Sequence, residues 1–537
     1  MTKGYLCLVL HAHLPYVRHP EHDYFLEEQW LYEALTETYI PLLEIIESLL
    51  EDHIDFRLTI SLSPTLIEMF NDPLLRHRYD FYLRKKIELA NKEVSRLESD
   101  NRFSPVVRMY GERFERVKNL YEVRYKKDIT GAFKRIRESG RVEIITTAAT
   151  HAFLPNFSVN RESVRAQVFI AVDYYKKIFG SPPEGLWIPE CGYYPGLDDI
   201  LKEAGIRYFF IDTHGLIYGR PAPRYGTYQP ARCPSGVAAF ARDAASSKEV
   251  WSSVEGYPGD FNYREFYRDI GFDLPADYIK PYIHPDGIRV DTAMKYYRIT
   301  GKTEDKEPYV REKALETAKE HAGNFLSNRE KQAAHFADLL GITPVITAPY
   351  DAELFGHWWF EGADWLNFLI RKTAGDSEII KFITPSEYLN SGVLLQTVLP
   401  TQSSWGWKGY SETWLNDLNE WIYPSLHEAA RKMSEIAREN PDARGVALRA
   451  LNQAARELLL AQSSDWPFMM AKKTVSGYAR KRVKEHLQWF NQLYSGIKSG
   501  AVDVERLGHL EKINNIFRDI DYRVYSLDYE LSNLSKG

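Results

Sequence analysis

Six short apolar runs in the first 400 residues share one habit, and it narrows the possible folds sharply. The runs are "YLCLVLHAH" (5–13), "FRLTISLS" (56–63), "VEIITTAATHAF" (142–153), "GLWIPECGYYPG" (185–196), "RYFFIDTHGL" (207–216) and "TPVITAPYDAE" (343–353). They do not alternate apolar with polar, which points to strands buried on both faces, as in a parallel sheet. Helical patterns lie between them, for example over 30–52 and 161–180. Strand-then-helix alternation means an α/β fold, open or barrel. In most of the runs, His, Glu or Asp appears where the strand would end. In α/β barrels, active-site groups come from the C-terminal ends of several strands, so this habit favours a barrel with a site at its mouth.

A chain of 537 residues exceeds one ordinary core. The barrel is expected over 1–400. The Pro-, Gly-, Tyr- and Arg-rich stretch "YGRPAPRYGTYQPARCPSG" reads as irregular chain. It suggests an inserted subdomain over 197–255, carrying a lid over the mouth. From 401 to 537 the pattern turns helical, as in "GVALRALNQAARELLLAQSSDW". The net charge of −6 argues against nucleic acid or a membrane surface as partner. The first apolar run, Tyr5 to Leu10, is too short for a signal or membrane segment. Three scattered cysteines build neither a disulfide framework nor a zinc site, and a cytoplasmic location is expected.

The candidate chemistry begins with Glu190 and Asp351, each following an apolar run. Across one barrel mouth they could flank a glycosidic bond. One carboxylate would attack the anomeric carbon while the other donates and recovers a proton, at a separation of about 5–5.5 Å. The acid must be kept protonated by apolar surroundings or a neighbouring negative charge. His11 and His13 form H-x-H on one side of the first strand, with His151 ending the third run and His357 following Asp351. These residue types allow three uses: sugar-hydroxyl contacts, a divalent-metal site as in a deacetylase, or satisfied core histidines. Aromatic residues make up 14% of the chain, which could fill a core or line a sugar groove. Trp405, Trp407 and Trp414 cluster in the polar stretch "TQSSWGWKGYSETW", and Asp465 lies in "AQSSDWP" where Pro467 stops an apolar helix.

The stretches "WIPECGYYPG", "APYDAELFGHWWFEG", "HAHLPYV", "THAFLPN" and "SSWGWKGYSETW" together resemble the sequence regions of glycoside hydrolase family 57, particularly its glucan-branching members. The resemblance covers nearly the whole chain. It implies a (β/α)7 barrel with an inserted subdomain, an all-α C-terminal domain, and a retaining mechanism on α-1,4-glucan without metal or organic cofactor. Carried over, Glu190 is the nucleophile and Asp351 the general acid/base. His11, His13, His151, Arg264, Gly287, Trp359, Trp405 and Asp465 would contact glucan, and Trp30 and Trp414 would be acceptor-side aromatics. Tyr225 or Tyr228 would tip the lid. The implied product is an α-1,6 branch. The alternatives are an α-amylase or 4-α-glucanotransferase with the same carboxylates, a metal-dependent deacetylase, or a glucan-binding protein without catalysis.

Overall fold

The computed structural model describes residues 2–252, 254–303 and 305–526. Nine strands occur among them: β1 (Gly4–Ala12), β2 (Leu58–Leu62), β3 (Val142–Thr147), β4 (Gly185–Trp187), β5 (Tyr208–Ile211), β6 (Ala231–Arg232), β7 (Ala238–Ala241), β8 (Val345–Asp351) and β9 (Ile380–Phe382). Seven are mutually parallel in the order β7-β5-β4-β3-β2-β1-β8. β6 runs antiparallel on β7, and β9 adds to the start of β1. The gap between β7 and β8 is bridged at both ends, by Asp243 N–H to Thr347 O and Val345 N–H to Tyr228 O. The sheet therefore curls into the (β/α)7 barrel that the family resemblance implies.

Period-two alternation divides the core in two. Cys7, Val9, Ile145, Trp187, Tyr208, Phe210, Phe240 and Val345 fill the barrel interior, while Leu6, Leu8 and Leu10 pack outward against helices. The inward parity of β1 continues to His11, and that of β8 to Asp351, so both arrive at the mouth. The parallel register sets Ser61, His11 and Asp351 side by side.

Two elements of the barrel, β5 and β7, fall inside 197–255, the stretch expected as an insertion. Short strands rich in Ala and Phe lie on either side of Pro/Gly turns there, and the turns dominate its composition. The longer excursion comes after β7: the helix Ala244–Trp251, short turns of helix near 257–282, and the 30-residue helix Arg311–Leu340 that leads into β8. Beyond residue 400 the main elements are helices at Tyr423–Glu439, Gly445–Ala461, Asp465–Lys472, Ser476–Ser499 and Val504–Ile513. Among the described residues no helix is long and apolar enough to cross a membrane.

Candidate active site

Glu190 sits in a tight 3₁₀ turn three residues beyond β4, with a left-handed φ of 61°. Cys191 and His151 are also left-handed, at φ 52° and 57°. Non-glycine residues in that region carry strain that the surroundings must hold, and such strain gathers at functional sites. Here two distant segments hold it. Trp405 donates its backbone N–H to Glu190 O at 2.9 Å and its indole N–H to Oε2 at 2.7 Å. Ser464 donates its hydroxyl to Oε1 at 3.2 Å. Burial raises the Glu190 carboxyl to about 7, against these two donors, which favour the ionised form.

Asp351 ends β8. Its carboxyl is pushed well above the usual range, first by burial, then by the negative charges of Glu353 and Glu190. No hydrogen bond to its side chain is found among the described residues. The two carboxylates are thus electrostatically coupled but differently equipped. Glu190 has donors that stabilise its charge, whereas Asp351 has like charges that oppose ionisation. Glu353 itself is taken up by Tyr39 OH and by the His13 N–H at 3.1 Å.

The three expected histidines converge beside Glu190. His11 Nε2 lies 2.9 Å from His151 Nε2, and His151 Nδ1 lies 2.9 Å from Ser464 Oγ. His13 Nε2 lies 3.0 Å from Asp465 Oδ2. Burial works to raise Asp465, but His13 beside it outweighs that and holds it below the usual range. His11 and His151 are both pushed well below the ordinary histidine value, chiefly by burial, and are neutral. His13, His151 and Asp465 have ligand atoms within 4.8 Å of one another, as a metal site would require. Yet the His13 and His151 rings are stacked, with centroids 3.8 Å apart and planes 14° apart. Ring nitrogens of stacked imidazoles point side by side rather than at a common centre, so this set fits sugar hydroxyls better than a tetrahedral ion.

Trp405 forms a wall with Trp187 beneath it, Trp251 edge-on at 5.8 Å and the Arg242 guanidinium over its face. Trp30 lies on the helix Gln29–Ala34, half-buried and edge-on to Tyr478 of the C-terminal helices.

Several expected contacts lie elsewhere. Arg264 is buried, its guanidinium paired with Glu37 at 3.3 Å and set over Phe360, with an N–H to His357 O. Trp359 is 1% exposed and packs on Tyr263 and Trp365, whereas its neighbour Trp358 is 55% exposed and stacks on Phe266. Trp414 is 1% exposed and stacks on Phe153, and a Cβ on Gly406 would meet its ring at 2.5 Å. It is packing rather than an acceptor platform. Gly287 is the exposed, left-handed residue of a turn closed by its own N–H to His284 O. Its role is conformational, since φ of 80° suits glycine.

The lid tyrosines are the clearest difference. Tyr228 O receives Val345 N–H at the N-terminal end of β8, opposite the mouth, and its ring stacks on Phe336. Tyr225 is one turn away, bonded through its carbonyl to Tyr228 N–H. After β5 the chain descends the barrel before β7 climbs back, which carries this stretch to the wrong end for a lid. Conversely, Ser464, Arg242 and Trp251 bond Glu190 or pack on Trp405 without having been singled out. Of these only Ser464, next to Asp465 in "AQSSDWP", carried a local signal.

Comparison with known proteins gives a consistent relationship. The profile of glycosyl hydrolase family 57 matches residues 7–338, and that of the 1,4-alpha-glucan branching enzyme C-terminal region matches residues 425–525. The 1,4-alpha-glucan branching enzyme TK1436 of Thermococcus kodakarensis is 34% identical, over 96% of this chain and 78% of its own length. Among solved structures, the alpha-amylase AmyC of Thermotoga maritima superposes with a TM-score of 0.92 at 45% identity, covering 98% of this chain and 99% of its own. The GH57-type branching enzyme of Pyrococcus horikoshii superposes with a TM-score of 0.88 at 33% identity, covering 98% of each chain.

Proposed function

The chain belongs to glycosyl hydrolase family 57, and from that premise we propose that it is a 1,4-α-glucan branching enzyme using Glu190 as nucleophile and Asp351 as general acid/base. The substrate is an α-glucan. With its carboxyl at about 7, Glu190 is partly ionised near neutral pH, and the Trp405 and Ser464 donors favour that ionised, attacking form, while Asp351 keeps its proton. Glu190 attacks the anomeric carbon, Asp351 protonates the leaving oxygen, and a glycosyl ester forms on Glu190. Esterification removes the Glu190 charge, which is one of the forces holding the Asp351 carboxyl up. Asp351 then ionises more readily and serves as base for the incoming hydroxyl. The neutral histidines and Asp465 orient sugar hydroxyls, and Trp30 and Trp358 offer rings to glucan chains.

One observation carries transfer over hydrolysis: the segment that matches branching-enzyme C-terminal regions is joined to the site. Just ahead of that segment's long helices, Trp405 bonds Glu190. Within it, Ser464 bonds Glu190 and Asp465 bonds His13. A second chain can therefore be bound by a surface that also shapes the nucleophile. Hydrolysis is the second reading, favoured by the 45% identity to an α-amylase and by the absence of Tyr225 and Tyr228 from the mouth. Incubation with amylose separates the two. New α-1,6 linkages without a matching rise in reducing ends support branching, whereas reducing ends alone support hydrolysis. The reading also keeps the protein in a reducing cytoplasm, where Cys7, Cys191 and Cys233, all buried and unpaired, stay thiols.

A further inference from the structure

We propose that Ser464 is a positioning residue for the nucleophile, and that a one-way hydrogen-bond chain from Ser61 through His11 and His151 to Ser464 points at Glu190 and holds the two histidines in opposite tautomers. The proposal rests on Glu190 being the nucleophile. Its geometric basis is an unbroken series of contacts. Ser61 Oγ lies 3.1 Å from His11 Nδ1, and His11 Nε2 lies 2.9 Å from His151 Nε2. His151 Nδ1 lies 2.9 Å from Ser464 Oγ, which lies 3.2 Å from Glu190 Oε1.

The direction follows from what each group can offer. An ionised Glu190 only accepts, so Ser464 gives it the hydroxyl proton. Ser464 Oγ then accepts from His151, whose proton is on Nδ1. A neutral His151 has a bare Nε2, which must accept from His11 Nε2–H. A neutral His11 has a bare Nδ1, which takes the hydroxyl of Ser61. His11 is therefore the Nε2–H tautomer and His151 the Nδ1–H tautomer. Reversing any link would set two protons, or two lone pairs, against each other.

The fold fixes the terminal member of the chain. Ser464 N–H bonds His151 O at 2.9 Å, and Ser463 forms an antiparallel bridge with Ala152. Gln167 Nε2 bonds Gln462 Oε1 at 3.1 Å. The C-terminal helices are thus stitched to the loop after β3 at the point where a serine must meet the nucleophile. Trp405 serves Oε2 and Ser464 serves Oε1, so whichever oxygen forms the glycosyl ester, the other keeps a donor.

The test is the acid limb of the kcat/KM pH profile, which reads ionisation of the free nucleophile. Ser464→Ala removes one of two donors and should move that limb up by about one pH unit, a roughly tenfold loss on its acid side. Ser464→Thr should restore it, and Ser61→Ala should move it the same way by less. A Ser464→Ala enzyme that loses activity equally at all pH values would reduce Ser464 to a packing role and overturn the proposal. Neutron diffraction of the wild-type protein gives a readout that needs no variant. Deuterium on His11 Nε2 and His151 Nδ1 supports the chain, while any other placement breaks it. Glu190→Gln is the control for the underlying reading: if that variant stays active, the nucleophile assignment fails on its own, independently of where the Ser464 limb lies.

Discussion

Two buried clusters of carboxylates, histidines and aromatics lie in this barrel, and they have opposite electrostatics. At the mouth, burial and neighbouring carboxylates push Glu190 and Asp351 upward, and the Arg242 charge beside Asp351 does not offset them. At the second cluster, burial would also raise Glu37, but the Arg264 and His357 cations outweigh it and hold Glu37 down at about 2. Burial is common to both, so burial does not distinguish chemistry from architecture. What distinguishes Glu37 from Glu190 and Asp351 is whether the charge is matched. A matched buried charge stays fixed across the working pH range, whereas an unmatched one is free to gain and lose a proton during a reaction.

The contrast can be broken at either cluster. The largest effect is expected for Glu190→Gln: kcat should fall by about 10⁴-fold or more while thermal stability is kept or raised, since a buried ionisable carboxyl is lost. Steady-state kinetics with a melting curve checks both halves. Asp351→Asn should cost about 10²–10⁴-fold, and less with a substrate whose leaving group needs no proton. At the matched cluster the pattern should invert. Arg264→Met strands the Glu37 charge and should cost about 3–5 kcal/mol of stability, with kcat of the folded enzyme near wild type. The sign with pH follows from Glu37 being depressed. Its contribution is complete above the ordinary unfolded value of about 4.3 and disappears as pH falls through about 2, so wild type and variant should converge in acid denaturation. The smallest effect is expected at the rim. Trp358→Ala should raise KM for long glucans about three- to tenfold, whereas Trp359→Ala should leave KM alone and lower stability by about 3–5 kcal/mol.

The parts that the sequence made legible are those governed by period and position. A parallel strand buried on both faces reads as an apolar run, and a polar residue that ends it must emerge at the mouth. That logic found His11, Glu190 and Asp351 across 340 positions of chain. It could not separate Trp358 from Trp359, because adjacent identical residues differ only in which face of the local turn they occupy. The family resemblance put Arg264 at the substrate, although an arginine's partner, here Glu37 on a distant helix, has no local signature. Irregular composition at 218–236 identified a loop but not the end of the barrel to which the loop descends. Ser464 is a common residue whose importance comes from one long-range bridge.

The most direct measurement is mass spectrometry of the protein after reaction with a fluorinated maltosyl fluoride, which slows breakdown of a glycosyl-enzyme. A sugar adduct on the peptide carrying Glu190, absent in Glu190→Gln, is the predicted result. An adduct on another residue, or turnover with no adduct together with activity abolished by a chelator, would contradict the covalent carboxylate mechanism.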